Sequence, residues 1–248
     1  MISNLHFVKM HKTVIIILLS TSFILLINTT DVVIFAHNFN TDDNSSFLTL
    51  INKLAIENQL LNDSISNSNL NSSEHTRNIE NILEDILISE NSFIVDSDQF
   101  YNNTIIALVL ANLGDEVLRN YGYAFGVPSN VMLSMNFSNI AVGLNYSDNI
   151  SSHMMNHENT ISTNMVDNSS YQSALKISDR MIEIYDTELK ASSSNSAFFN
   201  KAKSDLSGAL YDLRKHIETK ENPSKIMEDV HGRVHPNLQI AFNLTLKR

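Results

Sequence analysis

The segment Asn195–Glu221 constrains the fold more than any other part of this chain. Phe198, Phe199, Ala202, Leu206, Ala209, Leu210, Leu213 and Ile217 recur there at α-helical spacing. At about 100° per residue they fall within about 120° of a helix circumference, with Lys201, Asp205, Asp212, Lys215 and Glu218 outside that arc. A helix with one apolar stripe must bury it against a neighbour. The preceding segment, Ser170–Ala191, has the same form, with Tyr171, Ala174, Leu175, Met181, Ile182, Tyr185 and Leu189 on one side. Pro223 opens a further helix at the position where its missing N–H is harmless. That helix reaches about His235, where Gly232 and Pro236 predict a kink or break, and Leu238–Leu246 continues as helix.

Upstream, Ser97 offers an N-cap to a long helix ending near Tyr123. Its middle, Ile105–Leu110, is apolar all round, which marks a central core helix. Gly126 and Pro128 end it, and a short helical turn over Asn130–Met135 follows. Phe137–Ser170 reads as a long polar loop with one short helical stretch near Ile150–Ile161. Ser46–Leu61 and Glu74–Ser89 form a helical hairpin across an Asn/Ser-rich link, with Ile79, Ile82, Leu83, Ile86 and Leu87 on one face of its second arm. The whole chain of 248 residues holds only 6 Gly and 3 Pro, so turn-rich β architectures are disfavoured. The expected fold is all-α: an antiparallel bundle of four to five helices over 97–248, with an additional helical hairpin in 37–96.

The first 36 residues form a separate unit. Lys9 and Lys12 precede the uncharged apolar run Thr13–Ile27, and Ala36 ends a second short run, Val32–Ala36. A basic flank, an apolar run and a small terminal residue make a signal peptide, and a retained N-terminal membrane anchor is the other outcome. Both orient the remainder away from the cytoplasm, because the positive flank stays inside. The chain is then extracytoplasmic, touching the membrane only through this segment. Sequons at Asn44, Asn62, Asn71, Asn102, Asn136, Asn145, Asn149, Asn168 and Asn243 suit a glycosylated surface protein. Cysteine is absent, so stability comes from packing alone. Beyond residue 36 there are 15 basic and 26 acidic side chains, a formal charge of -11 with no basic stripe. Nucleic acid is therefore not an expected partner.

The six glycines form no phosphate-cradling loop, and neither a G-x-S-x-G elbow nor an H-E-x-x-H helix is present. What remains is histidine. His153 and His157 lie four residues apart, on one face if helical, and Met154 and Met155 between them add soft thioethers suited to copper. His157 could equally be a packed core residue beside Ile150, Met154 and Ile161. Glu228, His231 and His235 share a second face. Ile226, Met227, Val230 and Val234 occupy the opposite side, so this triplet is expected to face water as an ordinary polar surface. It becomes a ligand set only when another segment covers it. His216 reads as a boundary residue, Tyr121, Tyr123 and Phe125 as the end of a core helix, and the acids on helix faces as solvated charges.

The Cys-free, Asn-, Ser- and Ile-rich composition and the stretch Asp229–Leu238 (DVHGRVHPNL) resemble uncharacterised exported helical proteins of ammonia-oxidising archaea. That resemblance implies export and helicity and carries no activity. Two functional readings follow. The first is a non-enzymatic helical protein of the cell envelope that binds an envelope partner or acts structurally. The second is a small copper- or zinc-binding or redox protein that uses His153, His157, Glu228, His231 and His235.

Overall fold

A computed structural model describes residues 42–67, 71–89, 95–134, 165–192 and 196–244. The chain divides into two units, Met1–Phe35 and Ala36–Arg248, and every described residue lies in the second. The N-terminal targeting segment and the pair His153 and His157 lie outside the described residues.

The architecture is an all-α bundle, with no strand among the described residues. In chain order the helices are α1 (Asp43–Ser66), α2 (Ser72–Ser89), α3 (Asn103–Ala124), the single turn α4 (Ser129–Met132), α5 (Asn168–Ile184), α6 (Ala197–Glu218), α7 (Pro223–Asp229) and α8 (His235–Phe242). A π-helical turn, Tyr185–Leu189, extends α5, and another, Val230–Val234, joins α7 to α8.

Local chemistry sets the helix starts. The side chains of Asp42, Asn102, Asp167 and Asn222 each accept a backbone N–H from the first turn that follows, at α1, α3, α5 and α7. Each satisfies a donor that the helix geometry leaves without a partner. Ser97 does not begin the long helix as expected. Asp96 caps only a short 3-10 turn, Ser97–Gln99, and Asn102 captures the Thr104 N–H at 2.9 Å to start α3 six residues later. Pro223 stands in the first turn of α7, as its chemistry requires.

The middle of the bundle is α3, with 17 of its 22 residues buried, so the expected central helix is real. It packs most heavily against α5, while α6 lies against α5 and α8. Leu206, Ala209, Leu210, Leu213 and Ile217 of the α6 stripe are buried, each large one contributing about 2 kcal/mol. Phe198, at the start of that stripe, is 64% exposed because the stripe extends past the neighbouring helices. Three tyrosine hydroxyls fasten these helices. Tyr121 donates to the Glu221 carbonyl at 2.5 Å, Tyr185 to that of Lys203 at 2.7 Å and Tyr171 to that of Ile217 at 3.2 Å.

The hairpin does pack on the bundle, through α1 against α3 and α5. Its second arm, α2, lies mainly on α1, so Leu83 and Leu87 of the expected apolar face are exposed and only Ile82 is deeply buried. Among the sequons, Asn44 is buried, with its side-chain oxygen accepting the Asp96 N–H at 2.7 Å, whereas Asn62, Asn168 and Asn243 are exposed. Among the described residues no helix is long and apolar enough to cross a membrane.

Candidate metal centre

A helix buried all round has no solvated face, and α3 carries Asp115, Glu116 and Arg119 inside it. Reading the helix-face acids as solvated charges is therefore wrong here, and also for Glu57 and Asp229, which are buried. Three of these four buried carboxylates are satisfied within the chain. Glu116 takes Lys53 Nζ from α1 on Oε2 at 3.0 Å and the Arg119 guanidinium on Oε1 at 2.9 Å. Burial alone would raise its pKa, but those two cations outweigh it and hold the group below the ordinary carboxylate value. Asp229 pairs with His216 Nδ1 at 2.5 Å, Lys225 at 3.3 Å and Arg233 at 3.4 Å, so His216 is a partner of a core carboxylate. Glu57 accepts from Ser173 at 2.5 Å and contacts His75 Nδ1 at 2.8 Å.

Asp115 is the exception. It is 4% exposed, and its Oδ1 is buried without a hydrogen bond. Burial pushes its pKa up to about 7, a shift Arg119 only partly opposes. A buried polar atom with no partner costs roughly 1–3 kcal/mol, so such an atom needs a physical explanation.

The groups nearest to it come from the far end of the chain. The π-helical turn Val230–Val234 holds His231, and His235 begins α8 immediately afterwards. Both imidazoles are buried, at 5% and 8% exposure, which overturns the expectation that they face water. The apolar stripe of Ile226, Met227, Val230 and Val234 is buried too, because α6 covers one side of this segment while α3 and α4 cover others. Only Glu228 and Gly232 stay in solvent. Gly114 permits the close approach on the α3 side: a Cβ there would stand 3.2 Å from His235 Nε2 and 3.3 Å from Val230 Cγ1. Single π turns inside α-helices recur at functional sites, since the extra residue reorients the side chains around it.

The three side chains converge. One donor atom each from Asp115, His231 and His235 lies within 4.8 Å of the other two. Asp115 Oδ1 is 3.7 Å from His235 Nε2, and the two imidazole rings meet edge to face with centroids 5.4 Å apart. A tetrahedral ion with ligands at about 2.0–2.2 Å holds its donors roughly 3.3–3.6 Å apart, a spacing that the Asp115–His235 pair approaches at 3.7 Å. His231 Nε2 lies 3.2 Å from the Met132 carbonyl and His235 Nε2 3.2 Å from that of Ala111. Carbonyls only accept, so in this geometry each Nε2 carries the proton, which an ion bound there would displace. Two imidazoles and one carboxylate suit zinc(II) or copper(II) and leave coordination positions for water or another ligand.

Of the residues singled out in the sequence, the structure brings His231 and His235 together and leaves Glu228 out, exposed and paired with Lys225 Nζ at 3.0 Å. Asp115 was missed. The signal was nevertheless present, since an Asp–Glu pair interrupts the apolar run of a helix read as buried on every side. No protein-family model, curated protein or solved structure matches this chain.

Proposed function

We propose that this protein is a metal-binding helical protein that holds one zinc(II) or copper(II) ion through Asp115, His231 and His235. One observation carries the reading: Asp115 Oδ1, buried without a hydrogen bond, shares a volume with two imidazoles, the three donor atoms lying within 4.8 Å of one another. A cation there would add positive charge beside a carboxylate whose burial Arg119 only partly offsets. The site is deep in the bundle and joins α3 to the π turn, which supports a role in retaining the ion or in stabilising the fold rather than in turning over a large substrate.

The second part of the reading is location. Lys9, Lys12 and the run Thr13–Ile27 support export, and the protein would then hold its ion outside the cytoplasmic membrane. Fusing residues 1–40 to a reporter active only in the extracytoplasmic space tests this, and a silent, accumulated fusion removes it.

The metal site has its own test. The chain is stripped with chelator and titrated with zinc(II) or copper(II), following metal content and melting temperature. The expected outcome is one ion per chain and, at a free concentration one hundred times the Kd, a stabilisation of about 2.7 kcal/mol. Asp115→Asn and His235→Gln each abolish the stoichiometric ion. Substoichiometric metal together with an unchanged melting temperature overturns the proposal.

A further inference from the structure

Little holds α2 to the rest of the molecule. It packs on α1 and scarcely on any other helix, and among its described side chains only His75 and Ile82 are buried. Leu83, Leu87 and Ile88 stand in solvent. An element with so few buried apolar contacts opens at a fraction of the cost of unfolding the whole chain, and it opens as a unit. The same helix is one wall of a cleft of about 460 Å³ shared with α1, α3 and α5, to which it contributes Glu74, Arg77, Asn78, Asn81, Ile82 and Asp85.

The polar anchor of α2 is a charge pair. His75, with no exposed surface, meets Glu57 of α1 through Nδ1 at 2.8 Å, and its Nε2 is buried without a hydrogen bond. Glu57 also accepts Asn78 Nδ2 at 3.1 Å and the Ser173 hydroxyl of α5 at 2.5 Å, both neutral donors. Among the described residues, His75 is the one cation within ion-pair distance of Glu57, since Lys53 is held by Glu116. The other groups facing His75 are Glu74 on its own helix, itself paired with Arg77, and the neutral Gln172 of α5, near it but outside hydrogen-bond geometry. Deprotonation of His75 therefore strands a buried carboxylate without its counter-charge. A buried ion pair that loses one partner is strongly destabilised, and water relieves the stranded charge once α2 lifts away.

We propose that α2 is a proton-operated arm, docked on α1 while His75 is protonated and released as His75 loses its proton, which opens the cleft to solvent. The direction follows from linkage. Burial lowers the His75 pKa, but Glu57 outweighs it and the net value lies above 6.5. The support for docking is then complete below the ordinary histidine value and is lost as pH rises through the raised one. The device does not depend on the metal reading.

The chain has no cysteine, so two introduced thiols can be labelled cleanly. Spin labels at Leu87→Cys on α2 and Ser204→Cys on α6, both exposed positions, report their separation in the full chain, in chelator, at about pH 5.5 and about pH 8.5, on either side of a histidine titration. The expected result is one short-distance population at the lower pH and a longer-distance population that rises several-fold at the higher. His75→Gln shows the longer population already at the lower pH. Glu57→Gln, which has no charge to strand, keeps the short distance at both. Identical distributions in the parent chain at the two pH values, an undiminished pH response in Glu57→Gln, or a distance change accompanied by loss of the helical circular dichroism of the whole bundle each overturns the proposal.

Discussion

Asp115 and Glu116 are adjacent in sequence and equally buried, yet they have opposite solutions. Glu116 points toward α1 and is neutralised by Lys53 and Arg119. Asp115 points toward the π turn, where its Oδ1 lies 3.7 Å from His235 Nε2 and close to His231. One carboxylate is consequently held below its ordinary pKa, and burial pushes the other up to about 7. The fold completes the first ion pair with its own residues. At the second it leaves Asp115 Oδ1 without a hydrogen bond, the feature on which the proposed metal site rests. Burial alone does not make a site; an uncompensated group among potential ligands does.

Three experiments sharpen this contrast. The largest effect is expected from Glu116→Gln, which strands two cations in a nearly dry environment. Loss of one partner from a buried pair costs about 3–5 kcal/mol, readable as a lowered urea midpoint. Asp115→Asn should do the reverse in the metal-free protein. With the folded pKa above the unfolded one, the native state holds a proton that the unfolded chain has released between about pH 4 and 7, so stability falls as pH rises through that window. At pH 8 the substitution then stabilises the metal-free chain by up to about 4 kcal/mol, while eliminating metal-induced stabilisation. A destabilised metal-free Asp115→Asn chain at pH 8 would break the comparison. Glu116 contributes with the opposite sign, since its stabilisation is present above the ordinary carboxylate pKa and is lost as pH falls through its lowered folded value.

The smallest effect concerns His75, buried between α2 and α1. Burial by itself lowers its pKa, but Glu57 outweighs that and holds it above 6.5. Its contribution is complete below pH 6.5 and is lost as pH rises through the folded value, by roughly 1 kcal/mol. Thermal melts of Glu57→Gln should show a flatter profile there than the parent chain, and an identical slope would exclude this pair as its source.

Much of the fold was legible in the chain. The stripe from Ala202 to Ile217, the all-round apolar run of α3 and the proline that opens α7 are local signals, and local angular periodicity decides helix formation and its buried face. Boundaries were less legible. Ser97 and Asn102 both suit an N-cap, and only the observed hydrogen bond of Asn102 to Thr104 distinguishes them. Phe198, Leu83 and Leu87 continue their stripes beyond what covers them, so periodicity overstated their burial. The site was half legible. His231 and His235 were marked by their spacing, but Glu228, grouped with them, points into solvent, and Asp115 was not connected to them at all.

By itself, the sequence determined that this chain forms amphipathic helices around one central apolar helix, because 3.6-residue periodicity is a property of neighbouring residues. Only the tertiary structure decided that the polar face of the last segment is covered by α3 and α4, and that an aspartate and two histidines distant in the chain share one small volume. A helix's own pattern states the direction in which each side chain points. It does not state which other helix will be standing there.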